Sequence, residues 1–284
     1  MTVVHDTTVS LNEAAEQLGV HYMTAYRYVR TGRLRADRVD GRWRIDGADL
    51  WALEHREPAV PGTPIPLGER QSRLHARMVA GDEPGAWLVL EDAMTSGLEP
   101  AQIHTELLVP VMARLGDECA GGTVSVADEH RAIVVASRLV GRLGPRFARR
   151  GRTWGTVVVG MCTGDGHGLA SAILADLLRG EHFLVVDLGA DTPVEAFVEA
   201  SLGADRLVAV LIGVSDSGLD AVVAETVRAL HDAGCPVPVM VGGAAIGDEW
   251  HSRRLGADGW SGQDAASAVQ ALLATGDDAE ALSV

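Results

Sequence analysis

The spacing of apolar residues predicts two short helices and a hairpin near the start of the chain. Leu11, Ala14, Ala15 and Leu18 recur at helical spacing, and a second helical pattern covers residues 22–31. Ser10, with Glu13 three residues later, predicts a capping box at the first helix. Alternating residues on both sides of Asp40-Gly41 predict a β-hairpin. This order of elements predicts a winged helix-turn-helix domain over residues 1–57.

A proline-rich linker over residues 58–66 separates this domain from a purely helical segment. Helical spacing recurs there in four stretches, at residues 69–80, 84–95, 100–120 and 126–147. The stretches are joined by short, glycine-containing turns. Four helices with short connections predict an up-down four-helix bundle over residues 67–152.

The pattern changes again after residue 152, where short apolar runs alternate with helical stretches. The runs lie at residues 156–161, 183–188, 207–214, 237–241 and 259–261. Nearly continuous apolar runs are typical of strands buried on both faces, and their alternation with helices predicts a parallel sheet. We therefore expect a flavodoxin-like, Rossmann-type α/β domain over residues 153–275 and a tail over residues 276–284. The fold class is multidomain α plus α/β.

Charge is distributed unevenly along the chain. The formal net charge is −15, yet seven arginines face only two aspartates between His21 and Arg44. This asymmetry favours a small nucleic-acid-binding domain on an acidic body. The three cysteines are far apart, which argues against a zinc site or a disulfide framework. Because we find neither a long apolar run nor a signal peptide, we expect a cytoplasmic protein with no membrane partner.

Six residues of the winged domain are candidate DNA contacts. Thr24 and Arg27 are expected in the major groove, and Arg42 and Arg44 at phosphates or in the minor groove. The full set is Thr24, Arg27, Arg30, Arg42, Trp43 and Arg44. The alternative is a small helical domain with incidental arginines.

The same segment resembles the excisionase-like branch of the MerR-family DNA-binding domains. The resemblance lies in the runs at residues 10–15, 18–20, 26–28 and 41–45. It implies a homo-oligomer that binds paired half-sites of double-stranded operator DNA.

A histidine follows the first strand of the α/β segment. Asp165-Gly166-His167-Gly168 lies between the apolar run at 156–161 and a helical pattern. Loops at the carboxyl ends of parallel strands are where open α/β sheets bind ligands. A carboxylate two residues before a histidine can fix its tautomer and make it a better metal ligand. A polar turn with a helix-opening aspartate explains the pattern equally well.

Two later motifs occur at a characteristic distance from this histidine. Between Ala170 and Ile212-Gly213-Val214 lie 41 residues, and between Val214 and Gly242-Gly243 lie 27 residues. The arrangement resembles the cobalamin-binding fingerprint Asp-x-His-x-x-Gly, Ser-x-Leu, Gly-Gly, and the run at 188–193 is similar to the same family. The chain departs from the pattern at Ala170 and at Ile212, which replaces the serine. Ser215 and Ser217 lie nearby and are candidate substitutes.

The cobalamin resemblance implies that the nucleotide tail of the cofactor inserts beside the sheet. His167 would then replace the tail's base as the lower axial ligand of cobalt, with Asp165 behind it. Gly242 and Gly243 would let the backbone pass close to the tail. The candidate cofactor-binding residues are Asp165, Gly166, His167, Gly168, Asp191, Thr192, Val214, Ser215, Ser217, Gly242, Gly243, Cys119, Glu129 and His130.

The pair Glu129-His130 resembles the helical cap of light-sensing cobalamin repressors of the CarH/LitR type. The resemblance implies that this pair contacts the adenosyl group of adenosylcobalamin. The family's Trp-His pair, which lies about nine residues upstream, is replaced by Cys119 and Ala120. Cys119 would either place a thiolate near cobalt or act as a small buried hydrophobic residue. The alternative for Glu129-His130 is a solvated helix face.

Together these patterns predict a cobalamin-dependent transcriptional regulator rather than an enzyme. The state of the corrinoid, set by light acting on adenosylcobalamin, would control a dimer or tetramer and its DNA affinity. Two alternatives remain open. One is a regulator that senses cobalamin without light or binds another ligand. The other is a corrinoid methyl-carrier protein, which combines the same bundle and α/β domain.

Overall fold

The computed structural model describes residues 8–30, 34, 36–39, 42–47, 49–50, 65–149 and 151–281. For residues 27, 30, 37–39, 42 and 275–281 it describes the main chain only. The Asp40-Gly41 turn and most of the proline-rich linker lie outside the described residues. No helix in the described ranges combines the length and the apolar character needed to span a membrane.

The described residues of the first unit include two helices and three antiparallel strands. They are β1 (Thr8–Ser10), α1 (Leu11–Gln17), α2 (Tyr22–Arg30), β2 (Asp37–Val39) and β3 (Arg42–Asp46), with strand order β1-β3-β2. The predicted capping box is present, because the Glu13 N–H donates to Ser10 Oγ and the Ser10 N–H donates to Glu13 Oε2. Strand β1 was not predicted, since three residues are too few to show an alternating pattern.

The second unit, here called the helical unit, contains the four predicted helical stretches. They are α3 (Leu67–Val79), α4 (Glu83–Thr95), a third helix α5 over residues 100–120, and α6 (Val126–Leu143) with a terminal 3₁₀ turn (Gly144–Phe147). Within α5, Ile103–Leu108 is π-helical between α-helical segments Pro100–Gln102 and Val109–Ala120. Pro110 has no N–H to donate to the Glu106 carbonyl, which instead accepts from Gln71 Nε2 at 2.7 Å.

The third unit is a five-stranded parallel sheet with helices on both faces. Its elements are β4 (Thr156–Met161), α7 (Gly168–Gly180), β5 (Leu184–Asp187), α8 (Val194–Gly203), β6 (Leu207–Gly213), α9 (Asp220–Asp232), β7 (Val239–Gly242), α10 (Glu249–Arg254), β8 (Gly259–Trp260) and α11 (Ala265–Ala281). The strand order β5-β4-β6-β7-β8 is the flavodoxin-like order. The strands agree with the predicted ones to within about two residues at each end.

Side chains alternate between the two faces of this sheet. Val157, Val159 and Leu211 belong to a core that continues into the helical unit. Val158 and Ile212 belong to a separate core on the opposite face. The strand order reverses between β4 and β6, because β5 lies on the other side of β4. Ligands of open α/β sheets bind outside the carboxyl ends of the strands at such a switch point.

Candidate functional site

The carboxylate of Asp165 joins the two loops that meet at the switch point. Its Oδ1 accepts hydrogen bonds from the backbone N–H and from ring Nδ1 of His167, both at 2.9 Å. Its Oδ2 accepts from the backbone N–H groups of Ser215 at 2.5 Å and Asp216 at 3.2 Å. The side chain is fully buried. One carboxylate therefore fixes the loop after β4, the loop after β6 and the histidine ring.

The electrostatics of Asp165 favour the charged form. Burial raises the pKa of its carboxyl. The hydrogen bonds from Ser215, His167 and Asp216 together lower the pKa by more than burial raises it, so the pKa lies below its usual value. An ionised carboxylate can only accept, which assigns the ring proton of His167 to Nδ1. Nε2 then carries the free lone pair, on a side chain that is 55% exposed. Imidazole in this state is a good ligand for a transition metal.

Asp165, His167 and Asp216 form the one cluster of metal-ligating side chains found among the described residues. The Asp216 carboxylate lies 3.6 Å from His167 Nδ1. Both oxygens of Asp165 already accept two hydrogen bonds each, so it offers little to an ion. The geometry therefore presents one strong ligand atom, His167 Nε2, rather than a three-ligand metal site.

A crevice of about 110 Å³ lies beside the carboxyl ends of β4, β6 and β7, under helices α7 and α11. Its lining includes Ser215, Gly242 and Gly243, as expected. Val214 is buried, and its N–H donates to the Gly242 carbonyl at 2.8 Å. Ser217 is exposed and is not part of the lining. The structure thus brings three of the predicted residues to the crevice and places Val214 in the wall behind them.

The two glycines after β7 are required by the chain's own packing. A Cβ on Gly242 would collide with the Ser261 side chain and the Gly262 backbone, and one on Gly243 would collide with the Val214 backbone. Gly243 also has a φ of +113°. From the sequence, these glycines were expected to make room for the nucleotide tail of a ligand. The structure adds that the neighbouring loops themselves leave no room for a side chain.

The replacement of serine by Ile212 does not remove a hydroxyl from the crevice side. Ile212 is among the residues that line the crevice, but its side chain packs in the core on the opposite face of the sheet, with Val210 and Val241. Ser215 also lines the crevice, and its N–H donates to Asp165. Of the two serines proposed as substitutes, the structure therefore favours Ser215.

The residues around β5 brace the histidine loop. The Asp191 N–H donates to the Asp165 carbonyl at 2.8 Å, and its Oδ1 accepts from the Gly164 N–H at 2.7 Å. Thr192 is buried, and its hydroxyl donates to the Gly189 carbonyl. A Cβ on Gly168 would lie 3.1 Å from the Ala190 Cβ, whereas Gly166 faces open space. Asp191, Thr192 and Gly168 thus support the loop.

The three predicted cap residues lie at the junction of α5 and α6. The Glu129 carboxylate raises the pKa of the Cys119 thiol above its usual value, with burial adding to the effect. Cys119 is half-buried and His130 is exposed. A raised pKa opposes a cobalt-bound thiolate. In the described part of the chain, no hydrogen bond or ion pair connects these residues to His167.

Four polar crevice residues were not predicted from the sequence, namely Ser171, Ser261, Gln263 and Asp264. The last three follow the short strand β8, and their place at the end of the fifth predicted strand was the available signal. Of the predicted DNA contacts, Thr24 and Trp43 are half-buried and Arg44 is exposed. The side chains of Arg27, Arg30 and Arg42 lie outside the described residues.

Family models match three parts of the chain. Two different models described as a B12 binding domain match residues 71–143 and residues 155–272. A model described as a helix-turn-helix domain matches residues 8–53.

Curated relatives cover about two thirds of the chain. Trimethylamine corrinoid protein 1 of Methanosarcina acetivorans is 30% identical over 200 residues, which are 68% of this chain and 91% of the relative. Trimethylamine corrinoid protein 2 of Methanosarcina mazei is 29% identical over 203 residues, 69% of this chain and 92% of the relative. The solved monomethylamine corrinoid protein of Methanosarcina barkeri matches with a TM-score of 0.63 and 21% identity, over 74% of this chain and all of that one. That last likeness concerns the fold.

These comparisons correct the expected function. The prediction of a transcriptional regulator with operator DNA as its partner is wrong, because the matched relatives are corrinoid proteins named for methylamines. The expected oligomer on paired operator sites depended on that prediction. The repressor, photoreceptor and MerR assignments likewise find no support among the relatives. The prediction of a corrinoid cofactor is supported by the two B12 binding domain models. Because a relative that is 30% identical is matched over 91% of its length, the chain belongs to the family of corrinoid proteins.

Proposed function

We propose that this chain is a corrinoid methyl-carrier protein in which His167 is the lower ligand of cobalt. The observation that carries the proposal is the Asp165 carboxylate, which holds the His167 ring by Nδ1 and leaves Nε2 accessible at the switch point. A bound corrinoid supplies a cobalt ion that accepts and releases a methyl group. The names of the matched relatives support a methyl donor of the methylamine class.

The residues at the crevice fit the nucleotide tail of a corrinoid. The lining is formed largely by glycine, alanine and aliphatic residues, and its polar members are Ser171, Ser215, Ser261, Gln263 and Asp264. Such a narrow, mostly apolar crevice with a few polar groups is typical of cofactor sites. We assign Ser215, Gly242 and Gly243 to the tail, and Asp191, Thr192 and Gly168 to the support of the His167 loop.

The helical unit would cover the corrinoid from the other side. It shares one hydrophobic core with α7, the helix that begins directly after His167. We assign Glu129, His130 and Cys119 to this cover. The adenosyl form of the cofactor was expected only from the resemblance to light sensors, whereas a carrier would hold a corrinoid that bears a methyl group.

As a carrier, the chain would act with methyltransferase partners and would not itself be the catalyst. We also propose that the described residues between Thr8 and Leu50 belong to a winged helix-turn-helix fold joined to the carrier. The order of α1, α2 and the antiparallel pair β2 and β3 supports this assignment.

The proposal is tested by loading the full-length chain with hydroxocobalamin and separating it by size exclusion. We expect a coloured complex of equal stoichiometry, with the absorption spectrum of nitrogen-coordinated cobalt. His167→Ala should change that spectrum. The matched control is His231→Ala, because His231 also pairs with an aspartate, Asp258 at 3.1 Å, but lies at the end of α9. Failure of the wild-type chain to retain the corrinoid, or equal spectra for both variants, would overturn the proposal.

A further inference from the structure

A second carboxylate, that of Asp216, lies beside the His167 ring. Its Oδ2 is 3.6 Å from Nδ1, on the same side of the ring as Asp165. The two carboxylates differ in environment, because the side chain of Asp165 is fully buried and that of Asp216 is 51% exposed. Among the described residues, His167 is the only ion-pair partner of Asp216.

The main chain keeps Asp216 at this position. Its backbone N–H donates to Asp165 Oδ2 at 3.2 Å, so the loop after β6 is fixed relative to the ring. The side chain itself is half exposed. A movement of about 0.5 Å would bring its oxygen within hydrogen-bonding distance of Nδ1.

The two carboxylates exert different influences on the ring. Asp165 distributes its charge over four donors, of which only one is the ring. Asp216 has no such competition from described side chains. Coordination of Nε2 to a metal cation withdraws electron density from the ring, and a carboxylate at the opposite nitrogen stabilises that state. Because water surrounds half of Asp216, its effect is modest.

From this geometry we propose that Asp216 is a second positioning residue for His167, whose charge strengthens Nε2 as the cobalt ligand while Asp165 sets the orientation of the ring. The inference rests on the proposed function and adds to it a residue outside the cobalamin fingerprint.

Cyanide competition measures the strength of this ligand. The full-length chain is loaded with cyanocobalamin, whose upper position is already occupied, and titrated with cyanide, which displaces the lower ligand and changes the absorption spectrum. Asp216→Asn should lower the cyanide concentration for half displacement by about threefold to tenfold, as expected for a half-exposed charge. Asp216→Glu should recover most of the wild-type value. The control is Asp232→Asn, which removes the same charge at the far end of α9.

Each outcome decides the inference. An unchanged half-displacement concentration in Asp216→Asn would overturn it. Weaker corrinoid retention with an unchanged half-displacement concentration would show that Asp216 has a purely structural role, which also overturns it. If His167→Ala has the same half-displacement concentration of cyanide as the wild type, His167 is not the cobalt ligand. The proposed function and this inference then fail together. A large effect of His167→Ala with none of Asp216→Asn leaves the proposed function intact and refutes only the role of Asp216.

Discussion

The Asp165 carboxylate, after β4, accepts a hydrogen bond from the backbone N–H of Ser215, after β6, at 2.5 Å. This contact spans 50 residues of sequence and connects the two strands between which the sheet reverses its order. The same carboxylate holds the ring of His167. The position of the candidate cobalt ligand is therefore coupled to the shape of the crevice wall.

Replacement of the buried Asp165 carboxylate should lower the stability of the fold and disturb the orientation of the His167 ring. In Asp165→Asn, an amide NH₂ replaces one oxygen and faces N–H donors, which leaves buried groups unsatisfied. We expect a loss of about 2–4 kcal/mol in the free energy of unfolding, measured by urea denaturation of the chain without cofactor. Asp232→Asn, at an exposed helix end, should change it by less than about 0.5 kcal/mol. Equal stability of the two variants would contradict the role of Asp165.

The glycine after β7 gives a second test. In Gly243→Ala, the new Cβ would meet the Val214 backbone, and the residue would keep a φ of +113°. We expect a loss of about 3 kcal/mol or more in unfolding free energy, because strain and collision add. The matched control is Gly122→Ala, which has a positive φ but open space around its Cβ, and should cost about 1–2 kcal/mol. Similar losses of unfolding free energy in both variants would show that the close approach of Gly243 to the Val214 backbone does not limit the side chain at this position.

The sequence predicted the elements well because each is determined locally. Strand β4, buried along its whole length, and the Ser10–Glu13 capping box both leave a direct signal in composition or spacing. Contacts between distant loops leave no such signal. Nothing in the sequence places Asp216 beside His167, or shows in which core the Ile212 side chain packs, because both depend on the register of β6 against β4. The predicted function was wrong because it depended on the N-terminal helix-turn-helix pattern, whereas the matched relatives are corrinoid proteins.

The face on which Ile212 lies can be tested by restoring the serine of the fingerprint. Ile212→Ser would place a hydroxyl in the apolar core that contains Val210 and Val241. We expect a loss of about 3 kcal/mol or more in unfolding free energy and no gain in corrinoid retention. Ile212→Val should cost only about 1 kcal/mol. Tighter corrinoid binding by Ile212→Ser would mean that the side chain faces the cofactor after all.

Cys162 predicts a pH dependence of stability in alkaline solution. Burial first, and the nearby Asp165 carboxylate second, raise the pKa of this thiol to about 12. In the unfolded chain the thiol ionises near pH 8.5, so the folded state binds its proton more tightly. The resulting stability is complete below about pH 8.5 and is lost as the pH rises towards 12, by about 1.4 kcal/mol per unit. Urea unfolding of the wild type and of Cys162→Ala from pH 7 to about 10.5 should therefore show a steeper decline for the wild type. Parallel curves, or rapid alkylation of Cys162 in the folded chain at about pH 9, would show that the thiol ionises freely and that the loop after β4 is open to solvent.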